Sequence, residues 1–429
     1  MHIAFVDSNP AALDAIKCAK EEGHRVSYIQ SYDPIYPASQ HNQELINHAD
    51  WIKNGVATTD PDAVRAALAE CHAQHRVDFA ITQHEMVIES VALAARELGL
   101  PCISPDAVLT TRRKDMLRAA IRNAGLPTAA YALARDAAEV TAAAEAIGFP
   151  VVIKPPSGTD SKLTFVARDQ AEIRAACDQA FLGLDSLPPV WRSQFSRGFL
   201  VEEYLSGPLV SAEIGIRDER SYLFCVSGRT RASDNEVIEL GPHIPAGLTE
   251  QQVAACGQYA EAVCRAIGLN LGVFHLEMIL TARGPILVEA NPRVMGGIMP
   301  TIYRHATGGE SIYRGLLQIL SGAPVTGADR AFVDCVAARR LFARSAGQLP
   351  VSLDSCGLGG YDPPPVEFEG PESFGLRPGQ PVHPGQLIGR VIVRGEDYRA
   401  TTRHIREIVL RAEKSLGIEL MHGEYDNEV

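Results

Sequence analysis

Gly272-Val-Phe-His-Leu-Glu-Met-Ile-Leu280 and Pro285-Ile-Leu-Val-Glu-Ala-Asn-Pro-Arg293 are two apolar stretches joined by Thr281-Ala-Arg-Gly284. This pattern predicts a β-hairpin carrying one acid on each strand, Glu277 and Glu289, twelve residues apart. Like charges on paired strands repel unless something positive lies between them. Mg²⁺ suits that place, because it takes carboxylate and amide oxygens and keeps nucleotide phosphates as further ligands. Asn291 follows Glu289 by two residues, and Arg293 by four, so all three share one face of an extended strand. Such a face suits metal ions and an anion better than it suits a core. On residue types alone, a solvated hairpin face remains an equal reading.

Around this hairpin, the chain reads as a soluble protein of several domains. Its 429 residues suggest about three domains of roughly 150 residues. Hydrophobic residues make up 46% and charged residues 21%, as in ordinary globular proteins. With 40 Lys and Arg against 52 Asp and Glu, the net charge is -12. That balance argues against nucleic acid or an anionic membrane as the main partner. No apolar run approaches the roughly 18 residues of a transmembrane helix. Met1-His-Ile-Ala-Phe-Val6 reads as a strand with no basic leader, so no signal peptide is expected. The nine cysteines are scattered without a Cys-x-x-Cys pair, which fits reduced thiols in cytoplasm.

The first hundred residues alternate strand and helix: His2–Val6, a helix over 11–22, His24–Ile29, Val77–Thr82, then a helix over 85–98. This β-α-β rhythm predicts a parallel sheet. The first turn, Asp7-Ser-Asn-Pro10, lacks the glycines of a dinucleotide site. Residues 105–124 read as one helix. Thr128–Leu133, Phe149–Lys154, Phe199–Leu205 and Ser211–Ile216 read as strands, and 251–267 as a helix. Leu240-Gly-Pro-His-Ile-Pro245 reads as a loop. Beyond Gly322-Ala-Pro324, short strands and one helix near 398–415 predict a separate α+β domain.

Three further pieces carry chemistry. Val151-Val-Ile-Lys154 puts a lysine at a strand end, followed by the polar loop Ser157-Gly158-Thr-Asp-Ser161. Backbone N–H groups there can wrap phosphates while Lys154 supplies a point charge. Lys114 lies near a helix start, where a surface base is the plain reading. Val201-Glu-Glu-Tyr-Leu-Ser-Gly-Pro208 can offer backbone groups to a flat heterocycle, although Glu202 and Glu203 also read as edge charges.

The order of these pieces resembles the ATP-grasp superfamily over about residues 1–325. Glu277 through Gly297 is the most specific part. Thr82–Tyr131 looks like the carboxylate–amine ligase branch, and 378–393 is similar to the small C-terminal domain of L-amino-acid ligases. The resemblance implies an α/β and α+β multidomain chain. A Rossmann-like unit would span 1–107 and an ATP-grasp unit 108–325, its lid at 127–203 and its core at 204–325. An α+β unit would span 326–429. ATP and Mg²⁺, or Mn²⁺ in its place, would be the cofactors. Lys114 and Lys154 would contact the phosphates under the loop of Ser157, Gly158 and Ser161. Backbone atoms of Glu202 and Leu205 would bind adenine. Glu277, Glu289 and Asn291 would hold metal, and Arg293 would steady an acyl phosphate. Where many relatives carry a ribose-binding glutamate, this chain has Leu209, which leaves Glu213 to take that part. Leu163-Thr164 stands where relatives often have Gly-Val.

The implied reaction is ATP-dependent activation of a carboxylate, followed by attack of an amine. The partners would be small acids and amines, amino acids above all, and the assembly a homodimer. Glu85, His243, His275 and Gly296 fall where the substrate pocket is expected, each with a packed or solvated role as the alternative. Other readings are a carboxylase, a purine-pathway ligase, or an adenine-nucleotide-binding regulatory module without turnover.

Overall fold

The computed structural model describes residues 1–32, 39–158, 163–186, 198–328, 330–350 and 364–424. β1 (His2–Val6), β2 (Arg25–Ser31), β3 (Trp51–Val56) and β4 (Phe79–Ile81) form a parallel sheet in the order β3-β2-β1-β4. Its helices are α1 (Asp14–Glu21), α2 (Gln40–Ile46), α3 (Pro61–Gln74) and α4 (Ile88–Glu97). All five residues of β1 are buried, as expected of a parallel strand covered on both faces. Ala4 and Val6 join Val64, Leu68 and Val91 in one apolar cluster, while Ile3 and Phe5 face another.

The expected helix over 105–124 is instead two, α5 (Pro105–Arg112) and α6 (Lys114–Asn123). Arg113 between them is extended, at φ -118° and ψ 96°. The break frees the Lys114 backbone N–H to donate to the Pro156 carbonyl at 2.8 Å, tying the helix start to the polar loop.

A second sheet is antiparallel, in the order β5-β8-β6-β7: β5 (Tyr131–Ala134), β6 (Val151–Lys154), β7 (Phe165–Ala167) and β8 (Phe199–Glu203). α7 (Ala137–Ile147) and α8 (Gln170–Ser186) belong to the same layer, and Val140, Ala144 and Ile173 pack on Val151, Ile153 and Val201.

The largest sheet has eight strands in the order β13-β12-β9-β10-β11-β14-β18-β16. They are β9 (Leu209–Arg217), β10 (Arg220–Arg231), β11 (Glu239–Ile244), β12 (Leu271–Thr281), β13 (Gly284–Asn291), β14 (Cys335–Phe342), β16 (Glu367–Glu369) and β18 (Leu387–Gly395). Short β15 (Gly347–Gln348) and β17 (Pro381–Val382) pair separately. α9 (Glu250–Ile267) covers one face, packing Tyr259 and Val263 on Ile214 and Phe274. α10 (Met299–Ala306) and α11 (Ile312–Ser321) share a cluster with Phe224 and Val273.

One reading of the sequence is corrected here. Residues 240–244 are not a loop but most of β11; Gly241 and Pro242 disguise a strand paired on both sides. The C-terminal residues have their own apolar cluster with α12 (Tyr398–Leu416), and their strands continue the large sheet. The seam is narrow: β11 meets β14 at His243↔Ala337 and Ile244↔Val336. Among the described residues, no helix is long and apolar enough to cross a membrane.

Candidate active site

The hairpin forms as its residue pattern predicts. β12 and β13 pair antiparallel with Glu277 opposite Glu289 and His275 opposite Asn291, with an irregularity just after Glu277. Two carboxylates are thus cross-strand neighbours, and cations of the chain itself meet each one. Lys114 donates to Glu289 Oε1 at 2.7 Å. Burial disfavours the Lys114 ammonium, but Glu289 outweighs it and raises the pKa above the ordinary lysine value.

His275 lies between two acids. Its Nδ1 meets Glu213 and its Nε2 lies 3.1 Å from Glu277 Oε1. Burial opposes the imidazolium, yet Glu213 and then Glu277 raise its pKa to about 9. Burial likewise opposes the Glu277 carboxylate, but His275, Arg229 and Arg293 hold its pKa at about 2. Arg229, 3% exposed, stands behind His275 at 3.4 Å and contacts Ser227 and Met299. Because the folded-state pKa of His275 is raised, its stabilisation is complete below its ordinary value of 6.5 and is lost as pH rises through about 9. In chelator, the urea midpoint of wild type should therefore fall more across that window than that of His275→Gln. Parallel midpoints would remove the charged assignment.

Lys154 ends β6 and lies 2.5 Å from Glu202 Oε2, while Arg118 Nε donates to Glu202 Oε1 at 2.7 Å. All three side chains are buried, so Glu202 is not an edge charge. The pair shifts unequally for a physical reason. Burial opposes the Glu202 charge, but two cations hold its pKa at about 2. Lys154 faces burial and two neighbouring cations against one anion, so its pKa falls below the ordinary value. Arg118 also donates to the Val288 carbonyl, one residue before Glu289, at 2.9 Å. Lys114 and Arg118 are four apart on α6 and so share a face. One helix face thereby reaches the metal-candidate strand twice and the strand of Glu202 once. Arg118 and Arg229 escaped the sequence reading; the four-residue spacing from Lys114 was the available signal for the first.

Arg293 donates to Glu85 Oε2 at 2.9 Å, joining the large sheet to the N-terminal unit. A Cβ on Gly296 would stand 3.3 Å from Arg293 Nη1, so the absence of a side chain there leaves the guanidinium its place. Glu85, Lys114, Ser157, Gly158, Glu289 and Asn291 line one small cavity. Among the described residues, no three His, Cys, Asp or Glu side chains form a metal cage of their own. Two carboxylates and one amide are a hard, incomplete oxygen set, which fits a Mg²⁺ ion that shares its coordination with phosphates.

Two of the expected residues, Glu213 and His243, are engaged elsewhere. Glu213 is fully buried, bound to His275 and accepting from the Met295 N–H at 3.1 Å, so it is not free to hold a ribose beside Leu209. His243 packs on the Tyr398 ring at 4.8 Å with Nε2 3.3 Å from the Ala246 carbonyl, outside the acidic cluster. Burial lowers its pKa to about 4. Leu205 follows β8 in the passage between sheets. Ser161 lies outside the described residues.

Comparison with known proteins matches an ATP-grasp domain over residues 147–302 and an ATP-grasp N-terminal domain over 18–102. The chain is 28% identical over 265 residues to the uncharacterized protein y4rH of Sinorhizobium fredii, covering 58% of this chain and 50% of that one. It is 27% identical over 242 residues to the formate-dependent phosphoribosylglycinamide formyltransferase of Rhodococcus jostii, covering 55% and 57%. The chain thus spans about half the length of these curated relatives. The crystal structure of the L-amino acid ligase from Bacillus licheniformis superposes with a TM-score of 0.74 at 17% identity, over 98% of both chains, a likeness of fold.

Proposed function

Because this chain belongs to the ATP-grasp superfamily, we propose that it is an ADP-forming carboxylate–amine ligase joining an amino acid to a second amino acid or amine. The observation that carries this reading is the acidic hairpin itself: Glu277 opposite Glu289, with Lys114 on Glu289 and Arg293 beside Glu85. ATP would lie with adenine against the backbone of Glu202–Leu205 and its phosphates toward Lys114 and Lys154. Ser157 and Gly158, which line the same cavity as Lys114 and Glu289, would face them. Glu277, Glu289 and Asn291 would hold Mg²⁺ or Mn²⁺, which neutralises phosphate charge when bound. Lys114 now occupies a Glu289 oxygen, standing in for that positive charge. Lys114 and Glu289 line one cavity, so the same ammonium would also be within that cavity to meet the phosphates.

A substrate carboxylate oxygen attacks the γ-phosphorus, ADP leaves, and an acyl phosphate forms. The amine then attacks the acyl carbon, phosphate leaves with the carbonyl-bound oxygen, and the amine gives up a proton. Positioning and charge neutralisation are the chain's contribution. Arg293 would grip the acyl phosphate through two N–H groups. Arg293→Lys should therefore lower kcat by roughly a hundredfold with ATP affinity nearly kept, because an ammonium cannot form that fork. A loss confined to ATP binding would contradict this role.

The choice of an amino acid draws support from the end of β1. Ligands of parallel sheets bind outside the carboxyl ends of the strands. Here that end carries Asp7, whose carboxylate accepts from the Ser31 N–H at 2.9 Å and from Thr58 Oγ1 at 2.5 Å. A fixed anion in a turn without glycine is a poor seat for a phosphorylated substrate. Similarity to the formyltransferases favours a second reading, a purine-pathway ligase. Phosphate release measured over pairs of amino acids, and separately with formate and phosphoribosylglycinamide, decides between them. Turnover with the ribotide alone would overturn the first reading.

A further inference from the structure

β8 ends at Glu203 and β9 begins at Leu209, so residues 204–208 are the passage between the two antiparallel sheets. This passage is pinned on both flanks. On one, the Leu280 N–H donates to the Pro208 carbonyl at 3.0 Å. Gly207, at φ +143°, lies so close to the Leu280 carbonyl that any Cβ would collide with it. On the other flank Arg231, the last residue of β10, donates from Nη2 to the Gly207 carbonyl at 2.9 Å.

Arg231 is itself held from the far end of the chain. Its Nε and Nη2 meet Glu424 Oε1 and Oε2 at 3.2 and 3.0 Å, a two-bond grip with Arg231 12% and Glu424 22% exposed. Beyond α12, residues 419–424 run back along the large sheet. The Met421 N–H donates to the Phe342 carbonyl, the Ser233 N–H to the His422 carbonyl, and the Glu424 N–H to the Arg231 carbonyl, each at 2.9 Å. The strap is thus fixed by backbone bonds before its last side chain reaches Arg231.

We propose that Arg231, held by Glu424, is a positioning residue for the nucleotide base, so that the C-terminal strap is a working part of the nucleotide site. This inference rests on the proposed placement of adenine at Glu202–Leu205. The backbone groups that would bind the base lead directly into the Gly207 turn. Glycine lets such a turn swing, and a turn that must be ordered on binding weakens affinity. The fork of Arg231, with both acceptors in place, removes that freedom beforehand.

Calorimetric titration of the full chain with AMP, ADP and ATP tests this. Arg231→Gln should raise each Kd by roughly tenfold, the worth of one well-placed hydrogen bond. The factor should be the same whatever the number of phosphates, and kcat at saturating ATP should hold. Arg231→Lys, keeping one donor, should lose less. Glu424→Ala should weaken binding in the same direction, and the double variant should be no weaker than Arg231→Gln alone, because the two act in series. If Arg231→Gln does not fold, Glu424→Ala carries the same test at a more exposed position. Wild-type affinity in the variants, factors that grow with phosphate number, or losses that multiply in the double variant would each overturn the clasp. Wild-type protein that binds none of the three nucleotides would overturn the base placement beneath it.

Discussion

Glu289→Ala is expected to lower ADP formation by about a thousandfold without unfolding the protein. Glu289 stands directly across the ladder from Glu277 and already draws Lys114 to 2.7 Å. Its carboxylate is therefore the place in the hairpin where positive charge collects. Removing it leaves a lone acid on β12 and an ammonium without its nearest partner. Glu289→Gln keeps the shape and loses the charge, so it should fall nearly as far if charge is what matters. The comparison is made at saturating Mg²⁺ and ATP, with circular dichroism to show the fold retained. Near-normal turnover in either variant would remove the metal assignment.

Glu202→Ala should be the most destabilising single change in the site, by about 3–5 kcal/mol. Glu202 is bonded to both Arg118, 1% exposed, and Lys154, 7% exposed. Without it two cations stay buried with no counter-charge, and neither can reach water without breaking the fold. The same logic fixes the acid limit. Glu202 has its pKa depressed from 4.5 to about 2, so its stabilisation is present above the upper value and is lost as pH falls toward the lower. Urea unfolding of wild type and variant at neutral pH checks the first claim, and a midpoint change under about 1 kcal/mol would mean the triad is solvated in solution. Replacing all three by apolar residues should restore much of the loss, at the cost of whatever Lys154 does for phosphate.

Much of this centre was legible in the chain because its geometry is local. A period of two places Glu289, Asn291 and Arg293 on one face, and a short turn makes Glu277 and Glu289 partners. Lys154 was legible as the end of an apolar run. What failed to show is what the fold brings from afar. Arg118 and Glu202 are 84 residues apart, and Glu213 and His275 are 62 apart. Nothing in the sequence around Glu213 says that its carboxylate is taken by an imidazole and the Met295 N–H. β11 was hidden for a different reason. Gly241 and Pro242 are turn residues by composition, and pairing with β10 and β14 overrides that preference. The break at Arg113 was also unreadable, because the carbonyl that takes the Lys114 N–H, that of Pro156, is distant in sequence.

The two-rung seam between β11 and β14 bears on how such a chain tolerates recombination. Apart from the strap, a crossover placed between α11 and β14 has the ladder pairs His243↔Ala337 and Ile244↔Val336 to keep in register. The incoming piece brings most of its own apolar cluster with it. Exchange of everything after that point between homologous parents should thus be structurally cheap. The strap complicates the bargain, since residue 424 travels with the donor while residue 231 stays with the recipient. In a library of such chimeras, survivors that still bind nucleotide should inherit compatible residues at these two positions as a linked pair, although the two are 193 positions apart in the chain.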